Sequence, residues 1–129
     1  MVERTANAVW NGTLKRGDGQ MAFGSGAFEG AFSFASRFEN GEGTNPEELL
    51  GAASAGCYAM ALSNNLAEEG FDPERVHAVA SVHLEDGEIT LIEFDVDAAV
   101  PEIDEDAFLE AAEDAKVNCP VSQALAGVP

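Results

Sequence analysis

The stretch from Thr44 to Gly70, TNPEELLGAASAGCYAMALSNNLAEEG, constrains this chain more than any other. It carries both ends of one helix. Thr44 or Asn45 can cap the N-terminus, and Pro46 takes the first helical position, where a missing N–H costs nothing. Glu47 and Glu48 then set negative charge against the positive end of the helix dipole. Gly70 supplies the stop. Between these signals, Leu49 to Leu62 is small or apolar on every side, so no solvent face can be drawn. A helix of this kind needs cover all round, and a partner chain is one source of it. Cys57 sits in the middle of that stretch.

The chain's 129 residues suit one domain, 1–129, with one sizeable core, and 46% of them are hydrophobic. Charge narrows the partners. With 24 acidic against 6 basic residues, the net charge of −18 repels phosphate backbones and anionic lipid. Nucleic-acid and membrane-surface roles are therefore not expected. Such a surface serves solubility, and it also suits high salt, where screening shortens self-repulsion to a few ångströms. The N-terminal MVERTANAVW has a charge pair and no apolar run, and Leu49–Leu62 falls short of the ~20 apolar residues of a membrane span. A cytoplasmic location is expected, where two cysteines rest as thiols and a disulfide between them is transient.

The rest of the chain reads as mixed secondary structure. NAVWNGTLKR and QMAFGS flank Gly17-Asp18-Gly19, a hairpin signal. Ala31–Phe38 alternates, with Phe32, Phe34 and Phe38 on one strand face and Ser33, Ala35 and Arg37 on the other. A second hairpin turns at Asp86-Gly87. Its outgoing arm puts Ile92, Phe94, Val96, Ala98 and Val100 on a packed face and Glu93, Asp95 and Asp97 on a wet one, and Pro101 ends it. IDEDAFLEAAEDAKV follows as an amphipathic helix, with Asp104 as N-cap and Phe108, Leu109, Ala112 and Ala115 inward. Cys119 precedes Pro120, which makes Cys119 the N-cap of a short last helix, beside free backbone N–H groups that stabilise a thiolate. The order of strands, helix, hairpin and helix indicates α+β, with few parallel crossovers.

Cys57 has two readings. A free cysteine is a small hydrophobe and is most often inert core filling. Cys119 at a second helix start supplies a possible partner, giving attacking and resolving thiols. Spacing alone leaves both readings open. Arg37 is one of the few basic residues, either a surface arginine paired with Glu39 or another acid, or a guanidinium that lowers a cysteine pKa and holds a polar oxygen. Glu47 is accounted for as a first-turn acid. Glu47 and Cys57 are separated by ~15 Å of rise along an ideal helix, so they cannot touch across an unbroken one. To share a site they need a bend near Gly51, an intermediary such as Arg37, or the cysteine of a second subunit. His77 and His83 are about 20 Å apart along one strand face, too far to share a metal. No CxxC, HExxH or phosphate-binding glycine motif occurs.

In four blocks the chain resembles the OsmC/Ohr family of thiol-dependent peroxidases, and within it the OsmC branch. They are WNGTLKRGDG, SRFENGEGTNPEELLGAASAGCYAMALS, AVPEID and AKVNCPVSQAL, in the family's order and covering most of the chain. The resemblance implies an α+β fold of mostly antiparallel sheets with a long buried central helix carrying Cys57. It also implies an intertwined homodimer, with two active sites at or near the subunit interface, that reduces organic hydroperoxides. Cys57, in AGCYAMALS, falls on the family's peroxidatic cysteine, and Cys119, in NCPVS, on its resolving cysteine. Arg37, in SRFE, falls on the active-site arginine, and Glu47, in NPEELL, on the glutamate that pairs with it. Two departures stand out. The family usually continues into one more strand after the last helix, where this sequence ends at Pro129, and the strong acidity is unusual.

The chemistry so implied starts with Cys57 attacking the outer peroxide oxygen while Arg37, held by Glu47, opposes the desolvation that would raise the Cys57 pKa. A sulfenic acid forms and Cys119 condenses with it. An external dithiol, a dihydrolipoyl protein or a small thiol, reduces the resulting disulfide, with no bound cofactor or metal. Ala53, Ala55, Tyr58 and Met60 are the apolar residues expected to favour an alkyl peroxide. Two other functions fit the same fold: a non-catalytic dimer that binds a small apolar ligand, and a peroxide sensor that passes its disulfide to a partner.

Overall fold

A computed structural model describes residues 1–129. The chain divides into two compact units, 1–49 and 50–129. The first is built on an antiparallel three-stranded sheet, β1 (Ala6–Asn11), β2 (Asp18–Phe23) and β3 (Glu29–Phe32), in that order. The expected turn at Gly17-Asp18-Gly19 lies elsewhere. The chain reverses over residues 12–17, where Gly12 has φ +96°, and Asp18 and Gly19 already belong to β2. Gly19 is there for packing. It pairs with Trp10 on one side and Phe32 on the other, whose rings lie 5.2 Å apart, and a Cβ on it would meet both rings inside 3 Å.

The expected strand through Phe38 also ends early, at Phe32. Ser33 closes a capping box with Ser36: the Ser36 N–H donates to Ser33 Oγ, and the Ser33 N–H donates to Ser36 Oγ. That exchange starts a five-residue helix, α1 (Phe34–Phe38), and overrides the alternation of aromatic residues. Phe34 and Phe38 then stand one turn apart with centroids 4.9 Å from each other.

The long helix, α2 (Pro46–Glu68), forms as its end signals require. Asn45 Oδ1 accepts the Glu48 N–H at 2.7 Å. At the other end Gly70 adopts φ +91°, with Gly70 N–H donating to Ala67 O and Phe71 N–H to Leu66 O, a Schellman stop. There is no break at Gly51.

In the second unit, β4 (Arg75–Glu85) and β5 (Glu88–Ala99) form one long antiparallel hairpin about Asp86 and Gly87, both at positive φ. The wet face of β5 is Glu93, Asp95 and Asp97, as its alternation requires. Two helices follow, α3 (Glu105–Asn118), capped by Asp104, and α4 (Pro120–Ala124). Tyr58, Leu62 and Leu66 from α2 pack with Ala111 and Ala115 from α3, and Phe94 and Val96 close the core from β5. Leu62 and Leu66 are fully buried, each stabilising the unit by about 2 kcal/mol. Leu109, expected inward, is half exposed, and Ala111 takes its place. Tyr58 and Asn65 reach across to the α3 carbonyls, Tyr58 donating to Ala112 O and Asn65 to Ala111 O. Burial of α2 is one-sided within the chain: Ala52, Ala53, Gly56 and Met60 remain exposed. No helix is long and apolar enough to cross a membrane.

Candidate active site

The four residues singled out in the sequence form two pairs, one in each unit. In the first unit, Arg37 grips Glu47 through both ends of its fork. Nε donates to Oε1 at 2.8 Å and Nη2 to Oε2 at 3.2 Å. Position follows from local sequence. The Ser33–Ser36 box starts α1, which sets Arg37 in its last turn, and Ser36 Oγ also donates to Thr44 O at 2.7 Å. That bond ties α1 to the segment entering α2, whose first turn carries Glu47. Asn45 adds a second tie, donating to Ser36 O at 3.0 Å. Glu47 is buried, with its side chain 9% exposed against 37% for Arg37, and the guanidinium lies 5.2 Å over the Phe38 ring. A buried carboxylate holding a half-exposed fork by two bonds fixes the plane of the guanidinium and leaves its remaining donors free of Glu47. Of the partners considered for Arg37, the structure selects Glu47 and not Glu39.

In the second unit, α2 and α4 bring Cys57 and Cys119 beside each other as free thiols. Cys119 is the N-cap of α4, as its place before Pro120 indicates, and its sulfur accepts the Ser122 N–H at 3.3 Å. The Cys119 thiol donates to Ser122 Oγ at 2.9 Å. Cys119 is 1% exposed, whereas Cys57 is partly open.

The two thiols are pushed apart in acidity. Burial raises the Cys57 pKa, the Val121 N–H partly offsets this, and the adjacent Cys119 raises it further. Burial pushes Cys119 up as well. For Cys119, however, the Ser122 hydroxyl and N–H, with Cys57 and the Val121 N–H, outweigh burial and hold the thiol below its ordinary value. Ser122 was not among the residues singled out from the sequence. Its signal is the spacing Cys119-x-x-Ser122, the same N-cap-to-N3 relation that joins Ser33 to Ser36.

Among the apolar candidates around Cys57, Ala53 and Met60 flank it one turn away on the exposed side of α2, and Ala55 is half-buried. Tyr58 belongs to the core, its ring stacked on Phe94 at 4.7 Å. A cavity of about 490 Å³ is lined by Ser54, Tyr58, Phe94, Lys116, Ser122 and Val128 among others. Ser54 Oγ is buried without a hydrogen-bond partner. The histidines stand apart: His77 is exposed, and His83 Nε2 lies 2.6 Å from Glu93 Oε1.

A family model described as OsmC-like protein matches residues 39–129. The protein named Peroxiredoxin OsmC from Escherichia coli (strain K12) is 42% identical over an alignment of 129 positions that covers 96% of this chain and 90% of that protein. Its counterpart of the same name in Shigella flexneri matches equally. Among solved structures, an OsmC like protein from Mycoplasma pneumoniae superposes with a TM-score of 0.75 at 14% identity, over 98% of this chain and 89% of that one. An organic hydroperoxide resistance protein from Elizabethkingia anophelis gives a TM-score of 0.70 at 22% identity, over 98% and 91%. These two likenesses are of fold.

Proposed function

Because the chain belongs to the OsmC family, we propose that it is a thiol-dependent peroxidase that reduces organic hydroperoxides to alcohols. The observation that carries this reading is the meeting of Cys57 and Cys119: two neighbouring free thiols, one partly open and one buried and capped by Ser122. An inert core cysteine needs no such neighbour.

The cycle begins with the Cys57 thiolate attacking the outer peroxide oxygen. The O–O bond breaks, the alkoxide takes a proton and leaves as the alcohol, and Cys57 becomes a sulfenic acid. Burial works against the thiolate, so a cation is required. We assign that part to Arg37, which also meets the negative charge growing on the departing oxygen, while Glu47 sets the plane of its fork. Cys119 then attacks the Cys57 sulfur. An S–S bond forms, the S–O bond breaks, and hydroxide leaves with a proton as water. An external dithiol, of the dihydrolipoyl type or a small thiol, returns both cysteines to thiols. Ala53 and Met60 beside Cys57 favour an alkyl group, which gains burial there.

The working unit is read as a homodimer. Ala52, Ala53, Gly56 and Met60 form a small-residue apolar face on α2 with no cover from the chain itself, and Met60 is 78% exposed.

A thiol count and intact mass, taken before and after one equivalent of cumene hydroperoxide, test the reading. The parent should lose both thiols and two hydrogens, while Cys119→Ser should gain one oxygen. Sustained turnover with excess dithiol is expected, and with a higher kcat/KM for cumene hydroperoxide than for hydrogen peroxide. Two thiols left untouched in folded protein would overturn the proposal in favour of a non-catalytic dimer.

A further inference from the structure

We propose that Ser122 decides which sulfur of the oxidised pair the external dithiol attacks: it holds the Cys119 sulfur as the leaving group and directs the attack to Cys57. The inference rests on the Cys57–Cys119 disulfide of the proposed cycle and concerns its recycling. Two independent features point the same way. The first is access. Cys119 is 1% exposed and Cys57 is partly open, so a thiol arriving from solvent meets the Cys57 sulfur. The second is what receives the departing sulfur. Ser122 offers Cys119 two groups, a backbone N–H at 3.3 Å and a hydroxyl at 2.9 Å. In the thiol state Cys119 donates to that hydroxyl, and once the sulfur carries charge the hydroxyl turns and donates to it. In thiol–disulfide exchange the more acidic thiol leaves faster, and the opposed shifts of the two cysteines agree with this order.

The exchange balances as follows. One thiolate of the dithiol attacks the Cys57 sulfur, a new S–S bond forms between them, and the Cys57–Cys119 bond breaks with its electron pair leaving on Cys119. The second thiolate of the reductant then attacks its own sulfur in the mixed disulfide and expels the Cys57 thiolate. The dithiol ends as a cyclic disulfide, oxidised by two electrons, and both cysteines are reduced. Ser122 touches neither the peroxide nor the reductant. It acts through Cys119, as a positioning residue.

The test makes the disulfide with diamide, so it does not depend on reactivity toward peroxide. The oxidised protein is mixed briefly with glutathione, a monothiol with no second thiol of its own to release the adduct. Freed thiols are blocked with N-ethylmaleimide and the adducts are mapped by peptide mass. Glutathione should sit on Cys57 and maleimide on Cys119, by about tenfold or more over the reverse arrangement. Glutathione on Cys119, or on both cysteines equally, would overturn the assignment. In Ser122→Ala, oxidised with diamide, the rate of reduction by dihydrolipoamide should fall about tenfold, and Ser122→Thr, which keeps the hydroxyl, should restore it. Unchanged reduction in Ser122→Ala would refute the part given to the hydroxyl. If Ser122→Ala does not fold, Ser122→Gly, which also removes the hydroxyl, takes its place in the reduction assay. A parent that opens at Cys57 after diamide yet ignores peroxide would sink the peroxidase reading and leave this one standing.

Discussion

The Arg37–Glu47 pair offers the sharpest separation of stability from chemistry. In Arg37→Met the guanidinium is lost and Glu47, 9% exposed at its side chain, is left buried without it. Stranding one partner of a fully buried pair costs about 3–5 kcal/mol. Arg37 is more than a third exposed, so water already screens its side of the pair, and exposed pairs are worth under about 1 kcal/mol. A value near 2 kcal/mol lies between these limits and matches what one charged hydrogen-bond set contributes. Glu47→Gln should cost less, because the amide keeps one acceptor for Nε. The double variant Arg37→Met/Glu47→Gln removes the stranded charge and should recover most of the loss, giving a coupling energy of about 1–2 kcal/mol in a double-mutant cycle. Urea unfolding of the four reduced proteins, at low and at molar KCl, measures this. Partial burial should keep part of the coupling in high salt. Activity should not follow stability: the recovered double variant should still oxidise Cys57 about 100-fold more slowly than the parent. A coupling energy indistinguishable from zero would refute the view of a buried carboxylate gripping the fork. A double variant as fast as the parent would remove Arg37 from the chemistry.

Two further outcomes follow from the second unit. Thiolate absorbance should titrate above the ordinary thiol value in Cys119→Ser and below it in Cys57→Ser, which keeps a hydroxyl beside Cys119. Cys57, raised on folding, stabilises the fold below the ordinary thiol pKa and loses that contribution as pH climbs through its folded value. Cys119, lowered on folding, does the reverse, and loses its contribution as pH falls through its own. The opposite order of midpoints would contradict the geometry around Ser122. Separately, Ser54→Ala deletes a buried hydroxyl that has no partner, so urea unfolding should show a gain of about 1 kcal/mol. A loss of stability would mean that the hydroxyl is satisfied after all.

What the sequence made legible tracks how local the deciding interaction is. Helix α2 could be read from its ends because Asn45, Pro46 and Gly70 act within one turn of where they stand. The same holds for Asp86-Gly87 and Asp104. The segment SFASRF misled because two local codes compete there. Its aromatic residues alternate like a strand, while Ser33 and Ser36 form a cap, and the cap wins because it satisfies backbone donors that the alternation leaves open. Gly19 misled for a distant reason. Its neighbours are the Trp10 and Phe32 rings, which only the folded sheet brings together. In the site, the meeting of Cys57 with Cys119 was implied by family resemblance and not by spacing. Cys119 could be read as an N-cap from its place before Pro120, but its N3 partner Ser122 escaped, although the three-residue interval was in plain view.

The separation of the two cysteines has a consequence for durability. Cys57 and Cys119 stand 62 positions apart in the chain and are neighbours only once α2 and α4 have docked. A bond between them would close a long loop, and cross-linking a loop of that length restricts the unfolded chain by the equivalent of about 4 kcal/mol. Marginal proteins hold only about 5–15 kcal/mol in reserve. The state that has just consumed a peroxide would therefore be the hardest to unfold, and the reduced, waiting state the softest. An oxidant that threatens other proteins would, for as long as reductant is short, toughen this one.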